Sequence, residues 1–175
     1  GSEELASIRA AVLAARERVA SWPLGGGGFG LVRRGMEREY DRARRRMREA
    51  YRSAGTEAFH EWRKHVKYHR YHTELLREAW PAVQSARRSE LKRLTDLLGD
   101  EHDLAVLEEL VASGAVTCGP PPARRRVEKL LATRRRELRA EAEPVGARLF
   151  ADRPEGFGAR LRTWWRAGRD AVTPR

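Results

Sequence analysis

Apolar residues recur along most of this chain at steps of three and four, and no run of five or more shows the alternation or β-branched enrichment of a strand. The pattern predicts an all-α protein, an antiparallel helical bundle of about seven helices. A first helix over roughly 3–21 sets Leu5, Ile8, Val12 and Ala15 on one face and stops at Trp22-Pro23. The run Gly25 to Gly28 lacks the Gly-Lys-Ser/Thr ending of a phosphate loop and reads as a flexible turn. A second helix over 31–54 buries Met36, Tyr40, Ala43, Met47, Ala50 and Ala54, with Gly55 as its left-handed C′ residue. Thr56 starts a third helix that runs to Trp80-Pro81.

Leu91, Leu94 and Leu98 mark a fourth helix over 84–98, closed by Gly99. Asp100 then N-caps a fifth, with Asp103 at N3 and Leu104, Leu107 and Val111 turned inward. After the spacer Gly119-Pro-Pro-Pro, a sixth helix over 122–149 buries Val127, Leu131, Leu138, Ala142, Val145 and Leu149, with Pro144 as a point where it kinks or splits. A last amphipathic helix near 155–169 holds Phe157, Leu161, Trp164 and Trp165.

Composition narrows the class. A chain of 175 residues, 41% hydrophobic, fits one folded domain over 3–175, and Gly1-Ser2 reads as a cloning remnant ahead of it. The 36 Lys and Arg against 25 Asp and Glu give a net charge of +11, which favours a polyanionic partner: nucleic acid, an anionic membrane or polyphosphate. Lysine occurs only at 64, 67, 92 and 129, an arginine bias that either suits bidentate phosphate contacts or reflects base composition. No apolar run approaches the ~20 residues that span a bilayer, so no membrane partner is expected. The single Cys118 forms no intramolecular disulfide, and a cytoplasmic setting is the expectation.

The charge is patterned. Residues 33–72 hold thirteen basic and six acidic residues, residues 84–113 four and seven, and residues 124–139 eight and two. On the second helix Arg34, Arg38, Arg42 and Arg45 form one stripe. On the third, His60, Arg63, Lys64, Lys67, Arg70 and Tyr71 fall within an arc of about 120°, opposite Phe59, Trp62, Val66 and Leu76. Guanidinium, ammonium, imidazole and phenol together suit phosphate. The two helices are antiparallel neighbours across a short turn, so their basic faces are expected to line one groove. The basic run 124–139 either extends that groove or is a solvated face.

His65, His69 and His72 have a spacing that permits a helical metal site, yet His69 lies among apolar positions and reads as a core histidine, so no metal or cofactor is expected. His102 is placed at a helix N-terminus, where backbone N–H groups either hold an anion or are capped by Asp100 and Asp103.

The stretches His60-x-x-Arg63-Lys64-x-x-Lys67-x-x-Arg70-Tyr71 and Leu98-Gly-Asp-Glu-His102-Asp103-Leu-Ala-Val-Leu107 together resemble the CHAD family, the conserved-histidine α-helical domain. Leu149-Phe150-Ala-Asp-Arg-Pro and the tryptophan-bearing last helix are similar to the end of such domains. The resemblance implies a helical domain whose basic channel or groove binds inorganic polyphosphate. Carried over by position, it nominates Arg38, Arg42, His60, Arg63, Lys64, Lys67, Tyr71 and His102; helical spacing adds Arg34, Arg45, Arg70 and Lys92. The chain looks like the second half of a two-half domain, which implies either a fragment or self-association of two copies to complete the channel.

The expectation is therefore a polyphosphate-binding module without catalytic residues. Two alternatives remain in view at this stage: a phosphohydrolase or phosphotransferase acting on polyphosphate or nucleotides, and sequence-independent nucleic-acid binding. Clustered carboxylates are few, which weighs against a metal-dependent enzyme. The aromatic residues lie mostly on predicted buried faces, which weighs against base stacking.

Overall fold

The computed structural model describes residues 2–23 and 28–172, and among them six α-helices and one 3-10 turn, with no strand. The helices are α1 (Ser2–Ala20), α2 (Phe29–Ser53), α3 (Thr56–Leu75), α4 (Pro81–Ala112), α5 (Pro121–Leu149) and α6 (Pro154–Val172), and the turn Arg77–Ala79 joins α3 to α4. Residues 24–27, which include Gly25 to Gly27 of the expected flexible turn, lie outside the described residues; Gly28 has a positive φ of 81°.

The chain divides into two units, Gly1–Val32 and Arg33–Arg175. In the first, α1 carries acidic residues Glu3 and Glu4 in its first turn and Arg18 in its last, matching the helix dipole. Its apolar positions Leu5, Ile8 and Val12 are exposed.

In the second unit, α2 to α5 form an up-down-up-down bundle. Buried residues recur at helical spacing on each member: Met36, Tyr40, Ala43 and Ala50; Phe59, Trp62, Val66, His69 and Thr73; Leu91, Leu94 and Leu98; Leu138, Ala142 and Val145. Tyr51 packs edge-on against Phe59 and Trp62 and donates its hydroxyl to the Arg139 carbonyl at 2.7 Å, tying α2 to α3 and α5. Gly146 makes the α5 crossing close: a Cβ there would lie 2.7 Å from Trp62 Cζ2 and 2.9 Å from Met47 Sδ. At the other end Phe157 of α6 stacks on Tyr40 with ring centres 4.2 Å apart, and Trp164 meets Trp80 edge-on.

Three local expectations are corrected. First, Gly99 ends nothing: α4 is one helix of 32 residues, and Asp100 lies exposed in its interior. His102 is therefore not at a helix N-terminus, and no free backbone donors stand beside it. A helix-interior glycine costs only about 1 kcal/mol relative to alanine, which burial of Leu91, Leu94 and Leu98 before it and of Ala105 and Val111 after it outweighs. Second, Ala54, not Gly55, takes the left-handed conformation at the end of α2 (φ 53°), while Gly55 is extended and N-caps α3. The Ala54 carbonyl accepts a 2.7 Å hydrogen bond from Arg139, which helps hold that conformation; Ala54 itself is exposed and Met47 half-buried. Third, α5 continues through Pro144, which sits on an exposed flank where the carbonyl it leaves unpaired meets water. Of the residues expected to pack at the end of α4, Val111 is buried whereas Leu107 is exposed.

Candidate functional site: a cationic seam between two helices

The cationic arc of α3 does not face α2. It faces α4, and four pairs fix the register. The His60 and His102 rings lie 4.5 Å apart. Arg63 lies over Gly99, where an added Cβ would be 3.6 Å from Nε. Arg70 and Tyr71 share a hollow with Lys92, and Glu74 pairs with Arg88 at 2.7 Å. Each step of three or four along α3 is matched by a reverse step along α4, so Lys67 falls opposite Thr95. From His60 to Glu74 the seam spans about 21 Å of helix.

Small residues line α4 along the seam. The Arg63 guanidinium lies over Gly99, and Ser85 and Ser89 border a cavity of about 400 Å³ lined also by Arg70, Tyr71, Glu74, Arg88 and Lys92. At the opposite end, His60 Nδ1, Arg63 Nε and His102 Nδ1 are buried and lack a hydrogen-bond partner within the protein. Buried polar nitrogens are ordinarily satisfied; Trp62 Nε1, His69 Nδ1 and Arg87 Nε share this state elsewhere in the bundle, and what distinguishes these three is that they stand together on the cationic seam.

The cations differ in how free they are. Lys64 is bound to Glu61 at 2.6 Å, and that hydrogen bond raises its pKa. Lys92 is bound to Asp96 at 2.6 Å. Among the described residues, Arg63, Lys67 and Arg70 have no carboxylate partner, and Arg70 lies 5.4 Å from the Tyr71 ring centre.

The α2 stripe goes elsewhere, which corrects the expected single groove. Arg42 and Arg45, with Arg46, Glu49 and His65, line a separate hollow of about 470 Å³ at the α2–α3 junction. Arg34 and Arg38 line a third, of about 390 Å³, with Glu37, Asp41, Pro154 and Glu155. Repulsion explains the separation: two cationic stripes facing each other without an anion would oppose the packing of the aromatic core between them. Carboxylates thread the α2 stripe instead. Arg42 pairs with Glu39 and Arg45 with Asp41. Burial alone would raise the Glu39 pKa, but hydrogen bonds from His65 and Arg42 hold it below its ordinary value.

The three histidines expected at metal-like spacing diverge. His65 bonds Glu39 at 2.9 Å. His69 is fully buried against Tyr40, Phe150 and Phe157, as its apolar surroundings in sequence predicted. His72 is half-buried, with its pKa lowered by burial.

Sequence reasoning missed the fate of the basic run on α5. Glu101 is 1% exposed, and its Oε1 accepts from both Arg135 and Arg139 at 2.6 to 3.1 Å. Arg135 also reaches Glu108 and the Thr56 hydroxyl, and Arg139 lies 4.1 Å over the Phe59 ring. The signal was present: Glu101 falls on the buried stripe Leu94–Leu98–Ala105, and Arg135 and Arg139 are one turn apart. Arg88, Ser85 and Ser89 were also missed, although they lie one and two turns from Lys92.

These features define an all-helical protein with an imidazole- and guanidinium-lined seam between two antiparallel helices. The model of the CHAD domain matches residues 3–112, and the chain belongs to that family. The matched stretch ends where α4 ends, so it contains the whole seam, while α5 and α6 lie beyond it. No curated protein and no solved structure matches the chain.

Proposed function

We propose that the protein is a non-enzymatic module that binds inorganic polyphosphate along the α3–α4 seam. The observation that carries this reading is the convergence of His60 Nδ1, Arg63 Nε and His102 Nδ1, buried and without partners, beside unpaired Lys67 and Arg70. A linear polyanion offers an acceptor at every step, and the seam offers a cation or N–H donor at nearly every turn. Membership of the CHAD family, with which polyphosphate binding is associated, supports the same ligand. Of the carboxylates along α4, Glu101 is engaged by Arg135 and Arg139 and Asp96 by Lys92, so neither is free to hold a metal ion. Among the described residues no helix is long and apolar enough to cross a membrane. The hollows at Arg38 and at Arg42 and Arg45 are secondary contact points for a chain longer than the seam.

Lys67→Glu with Arg70→Glu removes two unpaired cations without breaking an ion pair, and is expected to weaken long-chain polyphosphate binding at least about tenfold. Affinity of the wild type is expected to fall steeply between two salt concentrations, by analogy with counterion release from nucleic acids. Unchanged affinity in the folded double variant, or displacement of polyphosphate by RNA at equal phosphate concentration, would falsify this reading.

A further inference from the structure

We propose that the 400 Å³ cavity at the Glu74 end of the seam is a site for a terminal, dianionic phosphate group, so that a polyphosphate chain is held by its end. The proposal rests on the polyphosphate reading but goes beyond it, because a groove that merely tracks a chain has no preference for where the chain stops.

Topology supplies the first argument. α3 and α4 are consecutive, and residues 76–80 connect them, so the seam is closed at this end by the chain's own turn, whereas its His60–His102 end has no such connection. Glu74 stands at that closed end, paired with Arg88 at 2.7 Å and 3.6 Å from Arg77. A polyanion advancing along α3 from Lys67 to Arg70 next meets a carboxylate.

Charge supplies the second. The cavity is lined by Arg70, Arg88 and Lys92 against the single carboxylate of Glu74; with Lys92 paired to Asp96 outside the lining the net excess is one positive charge, and it rises to two when an incoming group draws Lys92 from Asp96. An internal phosphate of a linear chain carries one negative charge. A terminal phosphate behaves like a monoester, with about −1.5 to −2 at pH 7, and its second charge is what draws Lys92 from Asp96 and Arg88 from Glu74. A terminal group also presents three non-bridging oxygens, and here the hydroxyls of Tyr71, Ser85 and Ser89 stand among the cations as additional donors. Elsewhere along the seam His60, Arg63 and Lys67 follow one another singly, which suits successive internal phosphates.

Glu74 then has a selective role. It pairs with Arg88 in the absence of ligand, so an incoming group must draw Arg88 away, and a dianion does this better than a monoanion.

The test uses linear polyphosphate of one length in two forms, with free ends and with both terminal phosphates amidated, and inorganic phosphate as a competitor. For the wild type, amidation is expected to weaken binding at least tenfold, and inorganic phosphate is expected to compete with the free-ended chain more than with the amidated one. Arg88→Ala, and separately Ser85→Ala with Ser89→Ala, should bring the two forms within twofold, because the free-ended chain loses more affinity than the amidated one. Glu74→Gln should tighten binding of the free-ended chain.

Equal, tight binding of both forms by the wild type would overturn the terminal site and leave the polyphosphate reading standing. Failure to bind either form, together with inorganic phosphate binding that Arg88→Ala abolishes, would keep the dianion site and overturn the polyphosphate reading. Failure to bind any of the three probes overturns both.

Discussion

His69 shows how a single buried side chain sets a pH dependence. Arg87 Nη2 lies 3.1 Å from His69 Nε2, and a guanidinium only donates, so Nε2 accepts and the ring proton sits on Nδ1. Burial, reinforced by the Arg87 charge, holds the imidazole pKa well below its ordinary value of 6.5. Arg87 is itself brought down to about 10 by burial, yet stays charged at neutral pH and donates to the Leu149 carbonyl at 2.8 Å. In the unfolded chain the histidine takes up a proton near pH 6.5, while the native site refuses it. The stability from a neutral His69 is thus fully present above pH 6.5 and is lost as pH falls below it, at most about 1.4 kcal/mol per pH unit. His72, lowered by burial, adds with the same sign. Urea denaturation midpoints at pH 7, 6 and 5 should fall more steeply for the wild type than for His69→Gln, which keeps an acceptor for Arg87 but does not titrate. Parallel slopes would remove His69 from this account.

At the scale of elements, α4 decides the geometry of the seam. Because it runs unbroken through Gly99, residues 85 to 102 form one rigid wall, and His102 meets His60 as part of a helix face. Gly99→Ala separates this arrangement from a helix break. A break with Gly99 in the left-handed conformation would make alanine destabilising, whereas in the helix interior, with the new Cβ at an ordinary 3.6 Å from Arg63 Nε, alanine is expected to stabilise by up to about 1 kcal/mol. Thermal melts of the two proteins give the sign. The same residue shows what a sequence can and cannot tell. The heptad-like spacing of Leu91, Leu94 and Leu98 revealed the helix and its buried side, just as the spacing of Phe59, Trp62 and Val66 revealed the inner face of α3. Residue type left open whether Gly99 stops a helix or lies inside one beneath a guanidinium, because glycine is compatible with both and only the tertiary packing chooses between them. The cationic arc of α3 was legible for a similar reason: it depends on one helix alone. Which helix it would face was not, since the rotation of α3 is set by aromatic packing against α2 and α5, a long-range fact.

For the whole molecule, the Glu101 clamp matters most. One buried carboxylate oxygen gathers Arg135 and Arg139, and through them α4, α5 and the α2–α3 turn at Ala54 and Thr56 are held together. Breaking such a buried ion network by removing one partner typically costs 3–5 kcal/mol. Glu101→Gln leaves two guanidinium groups at 12% and 17% exposure without their main counter-charge and should destabilise by about 3 kcal/mol. Chemical denaturation measures it, and a loss below about 0.5 kcal/mol would show that Glu108 alone suffices for Arg135.

That clamp also separates two boundaries that are easily taken for one. The family match stops at residue 112, but the carboxylate at 101 finds its counter-charges at 135 and 139. Cut after α4, the matched stretch would keep every side chain of the seam and lose the helix whose Arg135 and Arg139 neutralise the buried Glu101. In this chain the helices that form the seam are held in place by a neighbour that the pattern does not include.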